Sequence, residues 1–228
     1  MLTGIGTPTA WPFFKHGAAK AITRNAIGKA FGNFDPVIAV GGNLLAGQTL
    51  FVGTLSRDMA AGDTVTVDID GNVLTQDIFQ LDVPLVLTMN SWKTPAAIIG
   101  GTISATFSNL PEWSAMLAIK LTNAGDILKA TSVALFPATH DPSSGATAGF
   151  PGPPCFHWGL IGTDGNGTDA LGVWQGSMTA GQRASNGVIG SEVDLKEGYR
   201  IPPLATGARA WIINQTNRHS IATVAYYQ

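Results

Sequence analysis

Charge is scarce in this chain. Of 228 residues only 12% are Asp, Glu, Lys or Arg, about half the usual share, so much of the surface is either uncharged or covered by partners. Cysteine is scarcer still. Cys155 stands alone, so no disulfide can form within the chain, and stability has to come from a core or from association. Long apolar runs are missing too, and no segment approaches the roughly 18 residues of a membrane-spanning helix. The start, residues 1–14, has no basic stretch followed by an apolar one. No signal peptide or membrane contact is therefore expected, and synthesis in the cytoplasm is the natural reading.

Catalytic motifs are also missing. The chain has no Gly-x-Ser-x-Gly elbow, no His-Glu-x-x-His, no phosphate loop and no Cys-x-x-Cys. His16, His140, His157 and His219 fall in separate segments and read as hydrogen-bonded or exposed histidines. Cys155 and His157 share one face of an extended chain, yet no third ligand or orienting group stands nearby, so a structural role is expected. The run Asp164-Gly165-Asn166-Gly167-Thr168-Asp169 begins like a calcium loop. Asp169 occupies the sixth position, where glycine is needed, and Gln175 stands where a bidentate Glu belongs, so a plain turn is expected. The sequons at Asn166 and Asn214 carry no weight without secretion. No enzyme activity, metal or cofactor is expected.

What the chain does have is 45% hydrophobic residues, 28 Gly and 13 Pro, the profile of a strand-and-turn protein. Its net charge of -2 gives no general reason to bind nucleic acid. Charge is uneven, however: Lys15, Lys20, Arg24 and Lys29 precede the first acidic residue, Asp35. Residues 1–14 end in the aromatics Trp11, Phe13 and Phe14 and read as an extended arm with anchors. Over Lys15–Phe31, helical spacing of Ala18, Ile22, Ala26 and Ala30 predicts one short basic helix. Residues 1–36 thus form an arm with a helix, and residues 37–228 one β domain.

Strands are predicted at 48–55, 64–69, 73–79, 85–90, 96–108 with a Gly100-Gly101 break, 115–122, 127–136, 156–161, 171–178, 209–214 and 220–227. Asp70-Gly71-Asn72 marks a hairpin turn, and residues 123–126 mark a second hairpin between 115–122 and 127–136. The prolines of 137–156 mark a long loop. No internal repeat of fixed period is visible. The expected fold is all-β, a jelly-roll or Greek-key β-sandwich with a short N-terminal arm and helix.

Of the six tryptophans, Trp174 and Trp211 lie in apolar strands and read as core. Trp92 beside Lys93, Thr94 and Pro95, and Trp113 after Pro111 and Glu112, lie in loop-like sequence and are the better contact candidates. The candidate interface is therefore Trp11, Phe13, Phe14, Lys15, Lys20, Arg24, Lys29, Trp92 and Trp113.

An apolar arm with a basic segment, a low-charge sandwich rich in Gly, Thr and Ala, and the absence of disulfides and catalytic motifs together resemble virion structural proteins, such as phage head decoration (cement) proteins and small jelly-roll coat proteins. The resemblance is one of layout over the whole chain. It implies location in a virion, with copies of itself (a trimer first) and other virion proteins as partners. Four basic charges are too few for a genome-condensing arm, which favours a capsid decoration or tail-associated role and at most weak contact with nucleic acid. The alternative is a carbohydrate-binding, adhesin-like sandwich that stacks sugars on Trp92 or Trp113. A third reading is an enzyme with dispersed carboxylates such as Glu112, Asp194 and Glu197.

Overall fold

The computed structural model describes residues 21–32, 35, 37–39, 43–82, 85–123, 128–137, 156–165, 174, 178–185, 192–201 and 219–227, with the side chains of 38–39, 128–137, 164–165, 192 and 219–227 left aside. These residues form fourteen strands and, among them, no helix. In chain order they are β1 Thr23–Gly32, β2 Val37–Ala39, β3 Thr49–Arg57, β4 Val65–Ile69, β5 Asn72–Val73, β6 Thr75–Asp82, β7 Leu85–Lys93, β8 Thr102–Phe107, β9 Trp113–Thr122, β10 Leu128–Pro137, β11 Phe156–Gly165, β12 Thr179–Ser185, β13 Glu192–Arg200 and β14 His219–Tyr227.

All pairings are antiparallel. The first sheet runs β1-β9-β3-β7-β6, the second β10-β14-β11-β13-β12, and a small third sheet β2-β8-β4-β5. The first sheet lies between the other two. One face, through Phe51, Leu55, Leu87, Met89, Leu117 and Ile119, packs on Phe156, Trp158, Leu160, Val193 and Leu195 of the second sheet. Its other face, through Leu50, Val52, Val86, Met116 and Ala118, packs on Val65, Val67, Ile69, Ile103 and Ala105 of the small sheet.

This layering explains two patterns in the sequence. β3, β7 and β9 are apolar or small at nearly every position because both of their faces are covered, whereas β4 and β8 alternate because one face is wet. The small sheet is made of connections. β1 and β3 run in the same direction, as do β3 and β6, and β7 and β9, so each link between them must cross over. β2, β4–β5 and β8 are pieces of those three crossovers.

Several local expectations change. Thr23–Gly32 is a strand, not the end of a helix: pairing with β9 over nine rungs outweighs the weak helical preference of an Ala- and Lys-containing stretch interrupted by Gly28. An extra residue between Ala26 and Gly28 makes a β-bulge that hides the strand's alternation. The first sheet therefore includes residues ahead of the boundary drawn after 36, while 15–20 lie outside the described residues. The turn at Asp70 and Gly71 forms as expected, both residues having positive φ (49° and 80°), the two-residue hairpin geometry. Its return arm stops at Val73, and Thr75–Asp82 joins β7 in another sheet. The second expected hairpin does not form, because β9 pairs with β1 and β3 while β10 pairs with β14. β12 and β13 were not anticipated, and the strand expected at 171–178 is represented among described residues only by Trp174 and Met178, neither in a strand. The strand expected at 209–214 lies outside them.

Candidate functional site

The polar chemistry concentrates on β13 and its neighbours. In Glu192–Arg200 successive side chains alternate between faces. Val193, Leu195 and Tyr199 belong to the core shared with the first sheet, so Glu197 points there too, while Asp194 and Lys196 point outward.

Glu197 is a buried carboxylate with four donors. Arg24 on β1 reaches it twice, through Nε to Oε1 at 2.9 Å and through a terminal nitrogen to Oε2. Trp158 Nε1 donates to Oε1 at 3.2 Å, and the backbone N–H of Gln182 donates to Oε2 at 2.9 Å. The Arg24 guanidinium also lies 4.3 Å from the centre of the Tyr199 ring. Burial without such partners would be prohibitive for an ion, and here each carboxylate oxygen is met. The Gln182 donor reaches Glu197 because β12 bulges between Ala180 and Arg183. Gly181 is required in that bulge, since a Cβ there would lie 2.3 Å from Glu197 Oε2. The Gln182 side chain in turn donates to the Ala118 carbonyl of β9 at 2.8 Å.

On the outward face Asp194 takes Arg183 in a forked pair, Nε to Oδ1 at 2.8 Å and a terminal nitrogen to Oδ2 at 2.8 Å, with Lys196 Nζ 2.9 Å from Oδ2. Beside this cluster the Trp174 indole lies on Gly198 and Gly159, paired residues where any Cβ would collide with the ring. Trp174, Ala180, Gly181, Gln182, Arg183, Lys196 and Glu197 line a half-open pocket of about 180 Å³. Further along that face, His157 is fully buried opposite Arg200, and burial first, then the Arg200 charge, lowers its pKa to about 4.

The dispersed carboxylates do not converge. Asp194 and Glu197 lie on opposite faces of one strand, each held by cations, and Glu112 sits half-exposed 3.6 Å from Arg57. A carboxylate locked in a forked guanidinium pair is held in one orientation, with its oxygens already occupied by donors.

Of the expected interface residues, Trp11, Phe13, Phe14, Lys15 and Lys20 lie outside the described residues. Arg24 is spent on Glu197, while Lys29 is exposed on the edge strand β1. Trp92 is partly buried against the core under the small sheet, and Trp113 against the core between the large sheets. Cys155 and residues 166–169 lie outside the described residues. Among the described residues no group of three His, Cys, Asp or Glu could hold a metal ion.

Sequence reading missed Lys196, Arg183, Gln182 and the pairing role of Trp158. Val193 and Leu195 alternating with Asp194 and Lys196 were a legible strand signal. Glu197 broke that signal, because its inward position normally takes an apolar residue. No protein family, curated protein or solved structure matches the chain.

Proposed function

We propose that the chain is a virion structural protein, a capsid decoration or tail-associated component that works through subunit contacts. The observation that supports this best is the outer face of the small sheet. Val37, Ser104, Asp68 and Val73 form one row across its four strands, flanked by Thr66, Thr102 and Thr106. Val37 and Val73 are 55% and 62% exposed, and the loops entering the sheet expose Leu45 and Ile99, the latter at 78%. A face of Thr, Ser and exposed Val with one carboxylate, Asp68, that already accepts from Ser104 suits burial against another subunit. The two large sheets stacked face to face support a β-sandwich as the finer fold; a jelly-roll or Greek-key winding within it is tested by tracing residues 138–155 and 202–218 in an experimental structure.

The test is mass in solution by analytical ultracentrifugation, for the native chain and for Val37→Asp with Val73→Asp. A closed oligomer, a trimer first, is expected for the native chain, with a monomer for the variant. A native chain that stays monomeric at the highest soluble concentration and binds no particle counts against the reading. The second reading, carbohydrate binding, is favoured only by the Trp174 pocket. It predicts quenching of tryptophan fluorescence on titration with simple hexoses.

A further inference from the structure

Thr23–Thr122 and Leu128–Tyr227 are stretches of equal length, and each contributes five long strands to one sheet. Lettered a to e in chain order within each stretch, the strands of both sheets stand in the order a-e-b-d-c. The irregularities repeat as well. The ladder between c and d is bulged between Gln76 and Ile78 in the first sheet and between Ala180 and Arg183 in the second, opposite Met89 and Glu197. Those two residues occupy the same rung, since Met89 pairs with Gly53 and Glu197 with Leu160. Strand a carries a bulge against e in both sheets, two rungs apart. Bulges interrupt pairing and are not placed by chance.

The stacking is reciprocal. β1 lies against β12, β9 against β13, β3 against β11, β7 against β14 and β6 against β10, that is, a on c, e on d, b on b, d on e and c on a. This is the contact pattern of a two-fold axis running along the b strands. Residues near such an axis must meet their own counterparts, and they do: the Phe51 and Trp158 rings are 5.6 Å apart, Gly53 faces Leu160, and Leu55 faces Gly162.

We propose that the two stretches are copies of one structural unit built to pair with a second copy of itself, and that the copies have since diverged so that a first unit pairs only with a second. Two features carry the divergence. At the axis, identical units would set leucine on leucine and glycine on glycine, whereas here each leucine fills the space over a glycine. At one corner the Arg24–Glu197 pair joins the units, and the counterpart register positions hold Leu128 and Met89. A pair of second units would bury Glu197 opposite Leu128 with no cation, and a pair of first units would bury Arg24 opposite Met89. The repeat is invisible in the sequence because counterparts share the rung and the face, not the residue type.

The full chain with a protease site inserted at 124–127 tests this. It is folded, cut, mixed with an isotopically heavy batch, unfolded, refolded and weighed by native mass spectrometry. First–second pairs in every label combination are expected, without same-unit pairs. With Arg24→Leu and Glu197→Met, which copy the other corner, second–second pairs are expected to rise about tenfold or more. Cut chains that refold only as separate pieces, or a variant that refolds without same-unit pairs, overturn the proposal. Should the variant fail to refold, a crystal structure of the native chain decides: β10–β14 must superpose on β1, β3, β6, β7 and β9 by a two-fold rotation about an axis along β3, and any other rotation overturns it.

Discussion

The two five-stranded sheets share one strand order, yet equivalent positions are filled by different chemistry. On the outer face of the first sheet, Val86, Thr88 and Asn90 are neutral. Thr54 and Thr88 share a hydroxyl hydrogen bond of 2.7 Å, and Asn90 Nδ2 donates to Thr88 Oγ1 at 2.8 Å and to the Val52 carbonyl at 3.1 Å. At the same rungs of the second sheet stand Asp194, Lys196 and Gly198, with Arg183 completing an ionic cluster. His157 likewise stands where the first sheet has Leu50. The backbone ladder is indifferent to this choice. At these rungs the polar groups meet one another, Thr54, Thr88 and Asn90 through hydroxyls and an amide in one sheet and Arg183, Asp194 and Lys196 as paired ions in the other.

The sharpest way to break the comparison is to unbalance the ionic corner. Arg24→Leu leaves Glu197 buried without its cation and should cost about 3–5 kcal/mol in urea unfolding, the usual penalty for removing one partner of a buried pair. Adding Glu197→Met, the residue type of the other corner, should restore most of that loss. A double variant no more stable than the single one would show that the corners are not interchangeable.

A smaller effect is expected at the axis. In Gly53→Ala the new Cβ lies 2.3 Å from Leu160 Cδ1 in a fully buried layer, so overpacking should lower stability by about 1–3 kcal/mol. Leu160→Ala in the same chain should relieve the clash, read as a coupling in a double-mutant cycle. Additive losses would mean that the two sheets can slide apart at this point.

The gentlest probe is pH. The His157 pKa is lowered from 6.5 to about 4 by burial and Arg200. Between those values the unfolded chain binds a proton that the folded chain refuses, so stability is full above the window and falls as pH drops through it, by at most about 1.4 kcal/mol per pH unit. His157→Leu, matching Leu50, should flatten that part of the stability profile. An unchanged slope would assign it to other groups.

Much of the fold was legible where burial leaves a periodic mark. β3, β4, β7, β9, β10, β11 and β14 are readable from apolar runs and alternation, and the turn at Asp70 and Gly71 from residue types that tolerate positive φ. β1 was misread because a bulge and a glycine broke its alternation while alanines imitated helical spacing. β13 was missed because a glutamate occupies a core position. The expected contact tryptophans, Trp92 and Trp113, looked exposed from their polar neighbours, and only packing shows them leaning on the two cores.

By itself the sequence determined the all-β class, since a chain poor in charge, rich in glycine and patterned with period two cannot bury its apolar faces in another way. Only the tertiary structure decided which strands pair, that the first sheet is covered on both faces, and that Arg24 meets Glu197 across 173 positions of chain. The reason is physical: periodicity records that a face is buried, but two strands with the same alternation carry no mark of which neighbour buries it. That choice is made by long-range fit, in the glycine under a leucine and the arginine beside a buried carboxylate.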